Sequence, residues 1–218
     1  MLVKWITCVV PSASEVRFSA AQAGWSALRG VPGLIGQIGG WDGRGDARTA
    51  CVLAVWEDRD SYETFQRDHH DRIVATTGQA GTYDTIDIAV GTVLQDMPGT
   101  GSGTSGMVHD AEVLRVADCR VRPGRDDHFR DVQRTVWAPG MAEADGMLGG
   151  MFTQLDDHRY LVTTGWRDAE SHRRYVAERL PRLRELAGAA ADLSAIRGHE
   201  VALIRSWRVT GDAPSRLE

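Results

Sequence analysis

Two short glycine motifs decide the fold: Gly33-Leu34-Ile35-Gly36 in the first half of the 218-residue chain and Gly146-Met147-Leu148-Gly149 in the second. Each motif is followed, 20 to 23 residues later, by the tryptophan that ends an apolar run and precedes an acidic helix start, in LAVWEDRDSYETF (53–65) and VTTGWRDAESHRRY (162–175). A Phe-x-x-x-Gln pair also precedes each motif: Phe18 and Gln22, then Phe129 and Gln133. Three landmarks in the same order indicate an internal repeat.

Each copy alternates strand patterns with helix patterns. Runs rich in β-branched and aromatic residues predict the strands of the first copy at LVKWITCVV (2–10), GLIGQIGGW (33–41), TACVLAVW (49–56) and TIDIAVGTVL (85–94). A helix with apolar spacing follows Ser14, a second begins near Asp58, and the turn-rich DGRGDAR (42–48) joins the two middle strands. The second copy predicts strands near 112–121, 147–154, 159–166 and 199–208.

The order β-α-β-β-α-β in both copies predicts an α+β fold made of two ferredoxin-like repeats. We expect the two repeats to form an intramolecular dimeric α/β barrel.

The predicted domains are residues 1–96 and 111–218, and the tract between them (97–110) is rich in Gly, Ser and Thr. Such a composition is typical of a flexible linker. Gly101, Gly103 and Gly106 satisfy the pattern G-x-G-x-x-G, but a dinucleotide-binding loop opens a helix, whereas the AEVLRVADC that follows is strand-like. We therefore interpret the tract as a linker.

Composition excludes several classes of partner. The net charge is −5 with acids and bases interspersed, so no basic stripe is present that could follow a nucleic acid. The apolar run after Lys4 ends at Pro11, which is too short for a signal peptide or a membrane span, and this predicts a cytoplasmic protein. Three cysteines without a C-x-x-C pair predict neither a disulfide framework nor a zinc site. Lys4 is the only lysine among 25 basic residues, a bias typical of a high-GC bacterial genome of the actinomycete kind.

Three segments of the first half, GQIGGW (36–41), HDRI (70–73) and QAGTYDTI (79–86), resemble the YdbC-like proteins, a small bacterial family of unknown function. The second half is similar in a general way to the antibiotic biosynthesis monooxygenase superfamily of dimeric α/β barrels. The resemblance implies the fold. Characterised members of that superfamily include cofactor-independent monooxygenases of polyketide anthrones, haem-degrading enzymes, lactone isomerases and cyclases, so it implies no single activity.

The adjacent His69 and His70 lie on the second predicted helix. Neighbours on a helix point about 100° apart, so the two cannot both face one pocket. His70 aligns with Leu180 of the second copy, which lies on an apolar stripe with Val176 and Leu183. We therefore predict that His70 points inward as a general base or proton shuttle. The competing interpretation is a core or helix-face histidine satisfied by a neighbouring carboxylate or backbone group.

The strand GLIGQIGGW places Gln37 and Trp41 on one face, where an amide and an indole N–H can anchor a carbonyl or phenolate. Together with His70 they form the predicted catalytic set. Because an aromatic wall suits a planar ligand, the predicted substrate-binding residues are Trp25, Tyr62, Phe65, His69 and Tyr83. Trp56 and Trp166 occupy equivalent positions and are predicted to be structural.

No metal-ligand spacing and no G-x-S-x-G elbow are present, so we expect no metal and no cofactor, with haem on His70 as an alternative. The leading hypothesis is a cofactor-independent monooxygenase that acts on an aromatic polyketide-like small molecule in secondary metabolism. A cyclase or isomerase, or a non-catalytic small-molecule or haem-binding protein, remains an alternative. We expect a small-molecule substrate, no nucleic acid and no membrane as partners, and either a monomer with a pseudo-dimeric barrel or a homodimer.

The unequal distribution of polar groups places the predicted active pocket in the first half. His172, Tyr175 and Arg179 give the second half a polar helix face of its own, which we interpret as solvated.

Overall fold

The computed structural model describes residues 1–43 and 48–211. Its chain divides into two compact units, which differ from the expected domains: unit 1 contains residues 1–90 together with the segment that begins at Ala202, and unit 2 contains Gly91–Val201. Most of the turn expected at DGRGDAR (42–48) lies outside the described residues. No helix in the described part of the chain is long and apolar enough to span a membrane.

Unit 1 has the predicted β-α-β-β-α-β order. Its strands and helices are β1 (Leu2–Val9), α1 (Glu15–Ala23), β2 (Leu34–Asp42), β3 (Thr49–Trp56), α2 (Arg59–Phe65), α3 (Asp71–Thr77), β4 (Thr85–Pro98) and the short C-terminal β9 (Val209–Thr210). The first predicted helix ends at Ala23 and continues as a 3-10 turn over Gly24–Leu28. A π-helical turn, Gln66–His70, joins α2 to α3.

Unit 2 repeats that order. Its strands and helices are α4 (Thr104–Asp110), β5 (Val113–Val121), α5 (Asp126–Val132), α6 (Ala138–Ala142), β6 (Met147–Asp156), β7 (Arg159–Trp166), α7 (Ala169–Glu178), α8 (Leu180–Ala187) and β8 (Leu193–Leu203). A π-helical turn, Gln133–Trp137, joins α5 to α6. The last predicted strand, 199–208, was placed too late, because β8 ends at Leu203 and a 3-10 turn, Arg205–Trp207, follows it.

The sheet order within each unit confirms the ferredoxin-like fold and the α+β class. It is β2-β3-β1-β4 in unit 1 and β6-β7-β5-β8 in unit 2. The first and third strands of each unit pair antiparallel in the same register, so that Lys4 lies opposite Ala54 and Arg115 opposite Thr164. These pairs define equivalent positions in the two units.

The repeated glycines have a physical reason. Gly33 and Gly146 have φ of +75° and +83°, a backbone conformation that favours glycine. A Cβ atom on either would lie within 2.5 Å of the Cβ and Oγ of a serine at the start of the following helix, Ser61 or Ser171. The carbonyl of each glycine accepts a hydrogen bond from the residue after the landmark tryptophan, at 2.8 Å in both units. The glycine motif and the tryptophan motif are thus two parts of one contact.

The tract 97–110 is not a flexible linker. The strand β4 continues through it to Pro98, and α4 buries Met107 and Val108 completely. The backbone N–H and the hydroxyl of Thr104 both donate to the Asp96 carboxylate, at 3.3 and 2.5 Å. The glycine pattern therefore does precede a helix, contrary to our expectation. Since a carboxylate already occupies the helix N-terminus, this loop does not favour a nucleotide phosphate.

Candidate functional site

Unit 1 encloses a cavity of about 240 Å³. Five of the residues predicted from the sequence line it: Gln37, His70, Trp25, Phe65 and Tyr83. The cavity is smaller than the roughly 300–1,000 Å³ of pockets that hold drug-sized ligands. Its size therefore favours a planar ligand of two or three rings over a tetrapyrrole such as haem.

The floor of the cavity is a cross-strand row of three residues. Gln37 on β2 lies opposite Ala54 on β3, which in turn lies opposite Lys4 on β1. All three line the cavity. Because Ala54 carries only a methyl group, the row leaves open space between the amide of Gln37 and the amine of Lys4.

Two buried donors in this cavity have no hydrogen-bond acceptor within the described residues: the amide Nε2 of Gln37 and the indole Nε1 of Trp56. Their side chains are only 4% and 1% exposed. A buried donor without an acceptor costs about 1–3 kcal/mol. Gln37 and Trp56 both line the cavity, so its wall includes two residues with an unsatisfied donor.

Unit 2 shows why Trp56 lacks an acceptor. The equivalent indole of Trp166 donates to the hydroxyl of Thr164 at 3.0 Å. In unit 1 the position of Thr164 is held by Ala54, which has no acceptor. We predicted that both tryptophans have a structural role. Trp166 is fully buried and does so. Trp56 stacks on Phe65, with 4.9 Å between ring centroids, and is also part of the cavity wall.

His70 ends the π-helical turn between α2 and α3. Its ring lies between those of Trp25 and Phe65, with both centroids 5.9 Å away. Its Nδ1 contacts the carboxylate of the exposed Asp71 at 3.0 Å, and its Nε2 makes no hydrogen bond within the described residues. A histidine that lines a cavity, with a carboxylate on one imidazole nitrogen and no partner on the other, is suited to a general base. π-Helical turns are frequent at functional sites.

A chain of side-chain hydrogen bonds fixes the wall beside His70. The indole of Trp25 donates to the amide oxygen of Gln79, and the amide nitrogen of Gln79 donates to the amide oxygen of Gln22, both at 2.8 Å. All three residues line the cavity. The aromatic wall is therefore held in place by protein groups.

Two further groups in the wall have shifted pKa values. Burial lowers the pKa of Lys4 from its ordinary value, and its amine lies 5.8 Å from the centroid of the Tyr62 ring. Burial raises the pKa of the Cys8 thiol to about 12. At neutral pH the thiol is protonated and is a poor nucleophile.

Three of the predicted site residues lie elsewhere. Trp41 shares a strand face with Gln37 as predicted, but it is four residues along β2 and packs 5.4 Å from Trp207 and under Arg48. Tyr62 packs on Trp56, and the Lys4 amine lies over its ring. His69 points into a separate groove next to Arg72, whose guanidinium lies 3.2 Å from its Nδ1. We therefore remove these three from the site.

Unit 2 contains a second cavity, of about 490 Å³. Arg115, Gln133 and Cys119 line it at positions equivalent to Lys4, Gln22 and Cys8 in unit 1. Arg184 and Trp137 also line it. The structure thus gives the second half a pocket of its own.

The polar face expected on α7 is largely wrong. His172 and Tyr175 are 1% and 2% exposed and pack on Trp166, at 5.4 and 4.8 Å between ring centroids. Burial raises the pKa of Tyr175. Arg179 is the member that does face solvent, where it pairs with Glu143 at 3.2 Å.

The lining residues of the first cavity that sequence reasoning missed include Lys4, Gln22, Trp56 and Gln79. Signals were present for two of them. Lys4 is the only lysine of the chain and stands in an otherwise apolar strand, and Gln79 begins a segment that carries the family resemblance. The contribution of Trp56 depends on Ala54 two residues earlier, which carries no sequence signal.

Comparison with known proteins supports two different relationships for the two halves. Residues 2–90 match the family model described as Domain of unknown function (DUF4937), and residues 113–180 match that of Antibiotic biosynthesis monooxygenase. The Uncharacterized protein YdbC of Bacillus subtilis (strain 168) is 36% identical over 124 residues, which are 56% of this chain and 94% of that protein.

Solved structures extend the likeness over both units. A Fusobacterium nucleatum protein described as a candidate monooxygenase has a TM-score of 0.74 at 12% identity, covering 96% of this chain and 94% of its own. An anthrone oxidase-like protein has a TM-score of 0.65 at 10% identity, covering 96% and 92%. At these identities the likeness shows the fold alone. From the identity to YdbC, we conclude that the chain belongs to the YdbC-like family, and residues 113–180 match the antibiotic biosynthesis monooxygenase model.

Proposed function

We propose that the protein is a cofactor-independent monooxygenase that oxidises a small aromatic polyketide-like compound of secondary metabolism in the cavity of unit 1. The observation that carries the proposal is one arrangement: His70, in contact with Asp71, borders a small aromatic cavity that also contains the unpartnered donors of Gln37 and Trp56. The superfamily and the anthrone oxidase-like fold relative support the choice of reaction class.

Each residue has a defined part in such a reaction. His70 takes a proton from an acidic C–H or O–H of the substrate through Nε2. The N–H groups of Gln37 and Trp56 hold the oxygen on which negative charge then develops, so they stabilise the enolate or phenolate. Trp25 and Phe65 contact the flat faces of the ring system, and exclusion of water from the cavity protects the anion.

The electrons for dioxygen come from the substrate itself. For an anthrone, the ring CH₂ becomes a C=O group: the methylene carbon loses four electrons and dioxygen gains four. One oxygen atom forms the new carbonyl and the other leaves as water. No external reductant enters this balance.

Dioxygen uptake with anthrone under ¹⁸O₂ tests the proposal. We expect one molecule of dioxygen consumed for each molecule of product, with one ¹⁸O atom in the new carbonyl, and a loss of the reaction in His70→Asn. Turnover of a substrate under argon would contradict the proposal in favour of a cyclase or isomerase. Ligand binding without any turnover would contradict it in favour of a binding protein.

A further inference from the structure

Lys4, the only lysine of the chain, is 7% exposed and lines the cavity of unit 1. A buried ammonium group is costly unless an opposite charge compensates it. Within the described part of the chain, no carboxylate forms an ion pair with Lys4. Its recorded neighbour is the face of the Tyr62 ring.

Among the described residues that line the cavity, none is an aspartate or a glutamate. Its titratable lining residues are Lys4, Cys8, His70 and Tyr83. The partner of His70 is Asp71, whose side chain is 99% exposed and lies outside the lining. Burial holds the thiol of Cys8 in its neutral form at neutral pH.

The neighbouring elements supply no compensating carboxylate to the lining. The strand β3 has no charged residue. On α2, Arg59 and Glu63 are exposed and pair with each other at 3.8 Å, and Asp60 is exposed. On β4, Asp87 alternates with Ile86 and Ile88, which line the cavity, so Asp87 belongs to the opposite strand face.

Unit 2 repeats the cation. Arg115 lies in the register position of Lys4 and lines the second cavity. Arginine and lysine share a positive charge, whereas only lysine can form an imine or act as a base at neutral pH. A cation at this position in both cavities favours a role as a charge.

We propose that Lys4 is the counter-ion of an ionised hydroxyl group on the ligand, so that the cavity of unit 1 takes small planar phenols or enols as their anions. The row Gln37-Ala54-Lys4 then places an amide N–H and a cation on either side of the ligand oxygen. Burial lowers the pKa of Lys4, and a ligand anion beside the amine would raise that pKa again by favouring the charged form. This inference rests on the proposed function for the choice of an acidic aromatic ligand.

Binding of 2-naphthol, followed through the absorbance of its naphtholate form across a range of pH, tests the inference without any turnover. In the wild-type protein we expect the bound naphthol to ionise about 1 to 3 pH units below free naphthol. Lys4→Met should abolish this displacement, and Lys4→Arg should retain most of it. Arg59→Met, which removes an exposed cation near the same tyrosine, should leave it unchanged.

The inference is wrong if the bound naphthol ionises at the same pH in the wild-type protein and in Lys4→Met, or if the wild-type protein takes up only the neutral form or none. Thermal unfolding of both Lys4 variants checks that they fold, and Lys4→Arg keeps the test valid if Lys4→Met does not. If the protein consumes no dioxygen but still lowers the pH at which bound naphthol ionises, the proposed oxygenase function is wrong and this inference is retained.

Discussion

Gln37, His70 and Gln79 line the cavity of unit 1, and the equivalent positions of unit 2 hold Gly150, Leu180 and Ala189. The loss of these polar side chains accompanies an increase in cavity volume from about 240 to about 490 Å³.

Three lining residues have equivalents in both cavities. Each cavity keeps a cation on its first strand, a glutamine on its first helix and a buried cysteine, and the pKa of both thiols is raised to about 12 by burial. Of the two cavities in the described part of the chain, the one in unit 1 is lined by a histidine and the one in unit 2 is not.

The largest expected effect is the loss of turnover when His70 is replaced. His70→Asn should lower turnover of the aromatic substrate by about 100-fold or more, because general-base catalysis typically contributes that much. His69→Asn is the matched control, since it lies on the same helical turn but faces a separate groove. Steady-state dioxygen uptake measures both. Equal loss in the two variants would show that the helix, and not the base, was damaged.

The second prediction concerns the tryptophan pair. Thr164→Ala should reduce the free energy of unfolding by about 1–3 kcal/mol, because it leaves the buried N–H of Trp166 without an acceptor. Unfolding in urea measures the loss. Thr164→Ser keeps the hydroxyl and should recover most of it. An unchanged stability in Thr164→Ala would remove our explanation for the unsatisfied donor of Trp56.

The third prediction uses the buried amine. Lys4→Met should stabilise the empty protein by roughly 1 kcal/mol at neutral pH, because it removes a buried charge that lacks a carboxylate partner. The unfolded chain holds this proton more tightly than the folded protein. The penalty is therefore complete below the lowered folded pKa and disappears as pH rises past the ordinary pKa of 10.5. Urea unfolding of both proteins between neutral pH and about pH 10.5 should show the difference narrowing. A difference that stays constant would contradict the shift.

The smallest expected effect is the loss of stability when a helix cap is removed, and it should be equal in the two units. Asp58 and Asp168 cap α2 and α7 by accepting hydrogen bonds from the backbone N–H of Ser61 and Ser171, at 2.8 and 2.7 Å. These bonds lower the pKa of both aspartates. Asp58→Ala and Asp168→Ala should therefore each give a small and similar decrease in melting temperature, and neither should change the ligand affinity of the opposite unit. Clearly different decreases would weaken the equivalence of the two helices.

The sequence predicted most of the fold because its landmarks are local. A glycine with positive φ, a helix cap and an apolar run each leave a pattern that a single chain reveals. The alignment with Leu180 predicted an inward position for His70, and this residue lines the cavity of unit 1. The tract 97–110 was wrongly predicted to be a flexible linker, because its high glycine content is typical of linkers and gives no sign of the buried face of α4.

The rest of the site depends on contacts in the folded chain that leave no pattern in the sequence. Trp25 aligns with Val136, yet the residue that lines the second cavity is its neighbour Trp137. The π-helical turn Gln133–Trp137 explains this, because one extra residue in a turn rotates the following side chains. The open donor of Trp56 follows from a missing hydroxyl on a neighbouring residue, which only the folded chain shows.

The indole N–H signals of the protein, labelled with ¹⁵N-tryptophan and assigned by single Trp→Phe variants, test the central claim most directly. The account predicts that titration with 2-naphthol moves the signal of Trp56 downfield, as its N–H acquires an acceptor, while that of Trp166, already bonded to Thr164, stays in place. Movement of the Trp166 and Trp137 signals with a static Trp56 would contradict it and place ligand binding in unit 2.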